Sequence, residues 1–305
     1  MSNFLISQPK FSIISVSGEN VATFLQGQLT TDVRTLSPNT FLPTALCQHQ
    51  GKVVATGFVR QTSDTEAILI VPTSTQQIVI KILQPFAALS KIALHAHPPS
   101  NNKVYGMICK QTISGFPTEL SHCVDMSPRV SVLCIHTKPL IYLCYAEPND
   151  LAAWAAQLHD IDFSRSSAWQ AQLIAAGLVL IESSCSSRFT PNMLGLVPSK
   201  AVSLHKGCYL GQEVIARTYH LGQVKRFLHT FFSDSLHIDL NTDTRLSLVG
   251  LQQQLTVVYA GHDGQNLWFQ VVMPEHQGPF EFVVQSEDTS QSSPLHFQAK
   301  QHLFD

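Results

Sequence analysis

The chain has 305 residues, 44 % of them hydrophobic, with 19 basic and 21 acidic side chains for a formal net charge of −2. That length suggests about two domains with a sizeable core, and the near-neutral balance disfavours a duplex nucleic-acid binder, although a local basic stripe stays open. Charged residues make up only 13 %, about half the usual share, so Ser, Thr, Gln and Asn must supply much of the surface.

Phe11 to Val16 reads as a strand, and Ser17 then offers an N-cap for a helix with Val21, Phe24, Leu25 and Leu29 on one face. Thr44 to Cys47 and Val53 to Arg60 flank a Gly-containing turn at 48–52, the pattern of a β-hairpin. Glu66 to Val71 is strand-like, and Pro72-Thr73 opens a helix presenting Ile78, Ile82 and Leu83. Val104 to Lys110, Val130 to His136 and Leu140 to Tyr145 are further strands. Asn149 or Asp150 can cap an Ala-rich helix through Leu158, and a second helix runs from Ser167 to Ala176, ended by Gly177. The Ser-, Pro- and Asn-rich stretch from Ser183 to Lys200 should be irregular. After Val224 come short strands at Leu246 to Leu251, Leu255 to Ala260 and Leu267 to Met273, the last two joined by a turn at Gly261 to Gly264. The whole reads as an α+β protein with a small C-terminal β-domain.

The seven cysteines (47, 109, 123, 134, 144, 185 and 208) include no C-x-x-C pair, which predicts reduced thiols in a cytosol. Met1 to Lys10 lacks the features of a secretory signal, and no apolar run approaches a membrane span, so a cytoplasmic protein without membrane contact is expected.

Functional residue types are densest in Lys206-Gly207-Cys208-Tyr209-Leu210-Gly211-Gln212-Glu213, followed by Arg217. Lys206 and a helix starting near Gly211 would both favour a thiolate, making Cys208 the best candidate for a reactive thiol; a Gly-rich turn around an inert cysteine is the competing reading. Glu213 and Arg217, four apart, can pair on that helix. His95 and His97 could be two metal ligands, but histidines at the end of a strand before Pro98-Pro99 more often face solvent, and Cys185, His205 and Cys208 could converge on a metal although they lack zinc-type spacing. Lys225-Arg226 with Arg217 and Lys206 could hold an anion, although scattered solvated charges are the competing reading.

Lys206 to Glu213 resembles the K-G-C-Y-x-G-Q-E signature of the YgfZ-type folate-binding proteins, relatives of the glycine-cleavage T-protein. Phe189 to Leu194 is similar to the F-x-P-x-x-x-L stretch upstream of it, Val214 to Arg217 to its V-V-A-R continuation, and Gly222 to Arg226 to its G-x-x-K-R. Phe24 to Asp32 resembles F-L-Q-G-Q-x-T-x-D, and Cys47 to Lys52 resembles C-x-x-x-G-K. The resemblance implies an aminomethyltransferase-like ring of subdomains around a central cavity that binds tetrahydrofolate. It divides the chain into a folate-binding region at 1–223, of two interleaved subdomains, and a β-barrel at 224–305. It also implies a role in assembly or repair of iron–sulfur enzymes, with those enzymes or their assembly factors as partners and tRNA methylthiolation affected indirectly. Cys208 and Lys206 would carry the chemistry, and Phe24, Gln26, Gln28, Asp32, Tyr209, Gln212, Glu213 and Arg217 would contact folate.

The chain departs from the T-protein at two places. The acidic pair that T-proteins carry falls on Ala55 and Thr56, and in the segment L-R-L-E-A-G-L the arginine and glutamate are replaced by Leu173 and Ala175. YgfZ-type members often keep that arginine, so Leu173 changes how a pterin is recognised. These departures argue against aminomethyl transfer. A folate-dependent one-carbon transferase and an interaction module that has lost its ligand are the alternatives.

Overall fold

The structure, a computed structural model, describes residues 4–7, 10–98, 104–127, 130–146, 150, 161–162, 166–241, 243–251, 253–285 and 295–302. Its strands form three sheets. The first is antiparallel, in the order β3 (Leu42–Cys47), β4 (Val53–Ser63), β5 (Glu66–Pro72), β2 (Phe11–Ser17) and β6 (Ala93–Ala96). The second has the order β11 (Ile161–Asp162), β1 (Phe4–Ser7), β7 (Val104–Cys109), β10 (Leu140–Ala146), β9 (Val130–Thr137) and β8 (Cys123–Ser127), parallel only between β11 and β1. The third closes into a barrel of β12 (Phe227–Ser233), β15 (Leu267–Met273), β14 (Gln254–His262), β13 (Arg245–Leu248), β16 (Phe280–Gln285) and β17 (Leu295–His302). Closure removes the edges that six short strands would otherwise expose, around a core that stacks Phe231, Phe269, Phe282 and Phe297.

Helices α1 (Val21–Gln28) and α2 (Gln76–Leu89) pack their apolar stripes on one face of the first sheet. The first eight residues of β4 are buried because both faces are covered: Ala55 and Val59 face the helices, and Phe58 faces the core shared with the second sheet. Helix α3 (Ser166–Ala175) lies against β14 and β15 of the barrel and carries Trp169 into the shared core. It ends in a Schellman turn: Gly177 adopts φ 74°, its N–H donates to Ile174, and the N–H of Leu178 donates to Leu173.

Several elements differ from the expectation in detail. β2 runs through Ser17 and α1 starts only at Val21, with no side-chain cap. The strand at Leu246 ends at Leu248, where the chain turns toward Gly250 at φ 90°. β14 continues through His262, and the turn is built by Asp263, whose carboxylate accepts from Gln265 N, Asn266 N and Trp268 Nε1. The Ala-rich helix expected from Asn149 to Leu158 lies outside the described residues. No helix among the described residues is long and apolar enough to cross a membrane.

One tie between sheets has no local sequence signal. Arg60 of β4, 4 % exposed, donates through both Nη atoms to the Asp125 carboxylate at 2.8 Å, and also to Ser131 Oγ, Tyr145 Oη and Pro38 O. It clamps the first sheet to the second.

Candidate functional site

Helix α4 (Gln212–Leu221) follows the Lys206–Gly211 turn, and Gly211 precedes it at φ 85°. A Cβ on Gly211 would lie 2.4 Å from Gln48 O and 3.1 Å from Gly51 Cα, so only glycine lets the β3–β4 turn seat against the start of α4. This contact brings the segments Cys47 to Lys52 and Lys206 to Glu213 together.

The third segment, Phe24 to Asp32, meets them through its backbone. Lys206 is buried, and its Nζ donates to Leu29 O and Thr31 O, each at 2.7 Å. Thr30 between them, fully buried, donates its hydroxyl to Ala201 O at 2.6 Å and accepts from Ala45 N at 2.9 Å. The Leu29–Thr31 strap therefore sews the Lys206 turn to β3. Burial lowers the Lys206 pKa to about 8, opposed by the nearby Asp32 carboxylate. Its ammonium lies 5.0 Å from the Tyr209 ring centroid, a distance for cation–π attraction. Sequence reasoning assigned Lys206 to the thiol; the structure commits its ammonium to two carbonyls. Thr30 is the fixed threonine of the F-L-Q-G-Q-x-T-x-D resemblance, yet it is not among the expected site residues, because a residue type alone does not show that its hydroxyl ties two segments together.

Cys208 stands on this turn and is exposed, whereas the other six cysteines are buried. Burial pushes the thiols of Cys47 and Cys109 up to about 12 and those of Cys134 and Cys185 up to about 11, and raises Cys123 and Cys144 as well. The thiolate is the nucleophile, so those six are chemically quiet at neutral pH.

A cavity of about 220 Å³ lies between the first sheet, the second sheet and the end of α3. Its walls are mainly apolar, with Phe41, Phe58, Leu173 and Leu180 among them, and Thr44 and Thr56 are hydroxyls on the β3–β4 side. None of the eight residues expected to contact folate lines it. Phe24 is buried in the core under α1. Gln26 donates to Asp32 Oδ1 at 2.9 Å and accepts from Val33 N, and the Gln28 side-chain oxygen is buried without a partner among the described residues. Burial opposes ionisation of Asp32, but hydrogen bonds from Arg34 and Gln26 outweigh it and hold the carboxyl below its ordinary value. Tyr209 is buried beneath Lys206, with burial raising its phenol, and Gln212 Nε2 donates to Lys206 O. Glu213 and Arg217 are exposed on α4 and no ion pair joins them among the described residues. The motif residues build the turn and its strap; residues from β3, β4 and α3 build the cavity. Periodicity could not show this, because the cavity is assembled from segments far apart in the chain.

The positions matching the T-protein acids carry no carboxylate function. Ala55 is packed in the helix-side core. Thr56 Oγ1 donates to Val179 O at 2.8 Å and accepts from Ile181 N at 3.0 Å, so its proton is committed to the backbone. Leu173 lines the cavity in place of an arginine, and Ala175 does not reach it. His97 Nε2 bonds Ser15 Oγ, Cys185 Sγ donates to Val257 O, and no group of three or more His, Cys, Asp or Glu side chains among the described residues is arranged to hold a metal ion.

Three sheets with a closed C-terminal barrel define an aminomethyltransferase-like fold. Glycine cleavage system aminomethyltransferase T from Bartonella henselae aligns with a TM-score of 0.75 over 97 % of this chain and 85 % of that one, at 11 % identity. No family model matches the chain. The tRNA-modifying protein YgfZ of Colwellia psychrerythraea is 30 % identical over 234 residues, 74 % of this chain and 70 % of that protein. Its counterpart in Buchnera aphidicola is 30 % identical over 241 residues, 75 % of this chain and 73 % of that one. That of Pectobacterium atrosepticum is 26 % identical over 281 residues, 88 % and 83 % of the two chains. The chain belongs to the YgfZ family of tRNA-modifying proteins.

Proposed function

We propose that this protein binds a reduced folate in the cavity and uses the Cys208 thiol to support assembly or repair of iron–sulfur enzymes in the cytoplasm, and through them tRNA methylthiolation. The observation that carries the reading is the contrast among thiols: six are walled into the core, and Cys208 alone is exposed, on a turn that three distant segments cooperate to hold. The relatives' name, tRNA-modifying protein, supports the end effect, and the shared T-protein fold supports the ligand.

The cavity suits the ring of a folate. Apolar walls with few placed polar groups are the usual form of such a slot, and Phe41, Phe58 and Leu173 supply the walls. A reduced folate would bring one-carbon chemistry, but this chain lacks the carboxylate that aminomethyl transfer requires: Ala55 is inert and the Thr56 hydroxyl is occupied. We therefore favour a binding role over a transferase. Titrating the protein with tetrahydrofolate, alongside an assay for folate-dependent ammonia release from an aminomethyl-lipoyl donor, separates the readings. Saturable binding without ammonia release is expected. Release well above background identifies a one-carbon transferase, and absence of binding at high-micromolar folate identifies an interaction module without ligand.

A further inference from the structure

Helix α4 is packed by one residue: of its ten, only Ile215 is buried. Arg217, Tyr219 and His220 are exposed on the helix, and Lys225, Arg226 and Phe227 are exposed just beyond it. Tyr219 is 49 % and Phe227 42 % exposed, so both rings keep much of their surface in water. Gly222 lets the chain leave the helix toward Lys225, since a Cβ there would lie 2.7 Å from Thr218 O.

This strip is basic in a chain that is not. Between Gln212 and Phe227 stand three cations, Arg217, Lys225 and Arg226, and one carboxylate, Glu213, whereas the whole chain carries −2. None of the three cations joins an ion pair among the described residues. Tyr219 and His220 meet edge to face, with centroids 5.2 Å apart and planes at 88°, which steadies both rings and covers only one face of one of them. Cations interleaved with open aromatic faces match a single nucleic-acid strand, whose phosphates meet the first and whose bases stack on the second. A duplex hides its base faces, and unpaired bases are the ordinary state of RNA loops and ends.

We infer that α4 and the segment through Phe227 form a contact face for unpaired RNA, in which Arg217, Lys225 and Arg226 meet phosphates and Tyr219 and Phe227 stack on bases. The assignment is independent of the folate reading and of Cys208. It goes beyond the proposed function, in which tRNA is reached only through other enzymes. Val214 and Leu221 are also exposed on α4 and would suit an acidic protein segment instead, so that partner is the second arm of the test.

The test is fluorescence anisotropy of a labelled RNA of about 16 nucleotides without self-pairing, titrated with the full chain from about 50 to about 200 mM salt. At about 0.7 per phosphate, three contacts should weaken the parent about 20-fold over that range, and Lys225→Gln with Arg226→Gln, which leaves one contact, only about 3-fold. Tyr219→Ala should weaken binding at least about 5-fold at every salt concentration with the salt dependence unchanged, and Tyr219→Phe should retain it. All these positions are exposed, so the variants should melt with the parent. A parent that leaves the RNA unbound, or binds the matching DNA strand or duplex RNA more tightly, overturns the assignment. Tyr219→Ala binding as the parent does overturns it too. So does poly-glutamate displacing the label as well as unlabelled RNA of equal charge, which would mark the face for acidic protein segments.

Discussion

Replacing Lys206 by Met keeps an apolar stem of similar length and removes the ammonium from Leu29 O and Thr31 O. Each stranded carbonyl costs about 1–3 kcal/mol, or about 4 for the pair at mid-range. Against this, the burial that lowers the lysine from 10.5 to about 8 is relieved, worth about 3 kcal/mol. The expected net loss at pH 7 is about 1 kcal/mol, which at this chain length moves the melting temperature by about 2–4 °C. The pH dependence is sharper than the midpoint. Between about 8 and 10.5 the unfolded lysine holds a proton that the folded one has released, so the parent gains stability with rising pH in that window. Lys206→Met lacks the gain, and the gap should widen toward about 3 kcal/mol by pH 10. Thermal melts from pH 7 to 10, with Cys208 labelling rates on the same samples, make the measurement. A variant that melts with the parent throughout while Cys208 labels more slowly would refute the anchoring argument and return Lys206 to the thiol.

Other consequences are independent of that one. Native protein at pH 7 to 9 should consume about one equivalent of a thiol reagent, at Cys208, while denatured protein exposes all seven cysteines; mass-mapped labelling that finds Cys185 as fast as Cys208 contradicts the burial argument. Gly211→Ala must fit a methyl 2.4 Å from Gln48 O at a φ of 85°, so it should lower stability by at least about 1 kcal/mol, read by denaturant unfolding. Arg60 holds the Asp125 carboxyl below its ordinary value of 3.8, so this clamp contributes fully above pH 4 and is lost as pH falls through the folded value. Acid titration of the parent and Asp125→Asn should show the difference between them closing at low pH; a constant difference contradicts it.

Features that depend on neighbouring residues were legible from the sequence. The Gly-containing turn at 48–52 marked the hairpin, Gly177 marked the end of α3, and short strands after Val224 marked the barrel domain. The strand read from Val53 to Arg60 lies within β4, but the burial of Arg60 in it had no local signal. Long-range pairing was not legible: β2 inserts between β5 and β6, and β1 pairs with β7 about a hundred residues on. The site split in the same way. The K-G-C-Y-x-G-Q-E string located the exposed cysteine, yet the atoms that bind Lys206 are backbone carbonyls 175 and 177 positions away, which carry no residue-type signal. Phe24, Gln26 and Asp32 read as ligand contacts because their segment matches; in the structure Phe24 packs in the core under α1, and Gln26 bonds Asp32 beside the strap. Thr44 and Lys200, which line the cavity, stand outside every motif, since a cavity lined from β3, β4, the end of α3 and the Val197–Lys200 turn has no period or spacing of its own.

The central claim is that the exposed Cys208 sulfur carries the protein's role, and the most direct test is complementation of a strain lacking the protein with Cys208→Ser. The substitution changes size little at an exposed position, so the variant should fold and bind folate as the parent does. Iron–sulfur enzyme activity and tRNA methylthiolation should nevertheless stay at the level of the deletion. Full restoration of both by Cys208→Ser would contradict the claim and reduce the turn to a scaffold for the cavity.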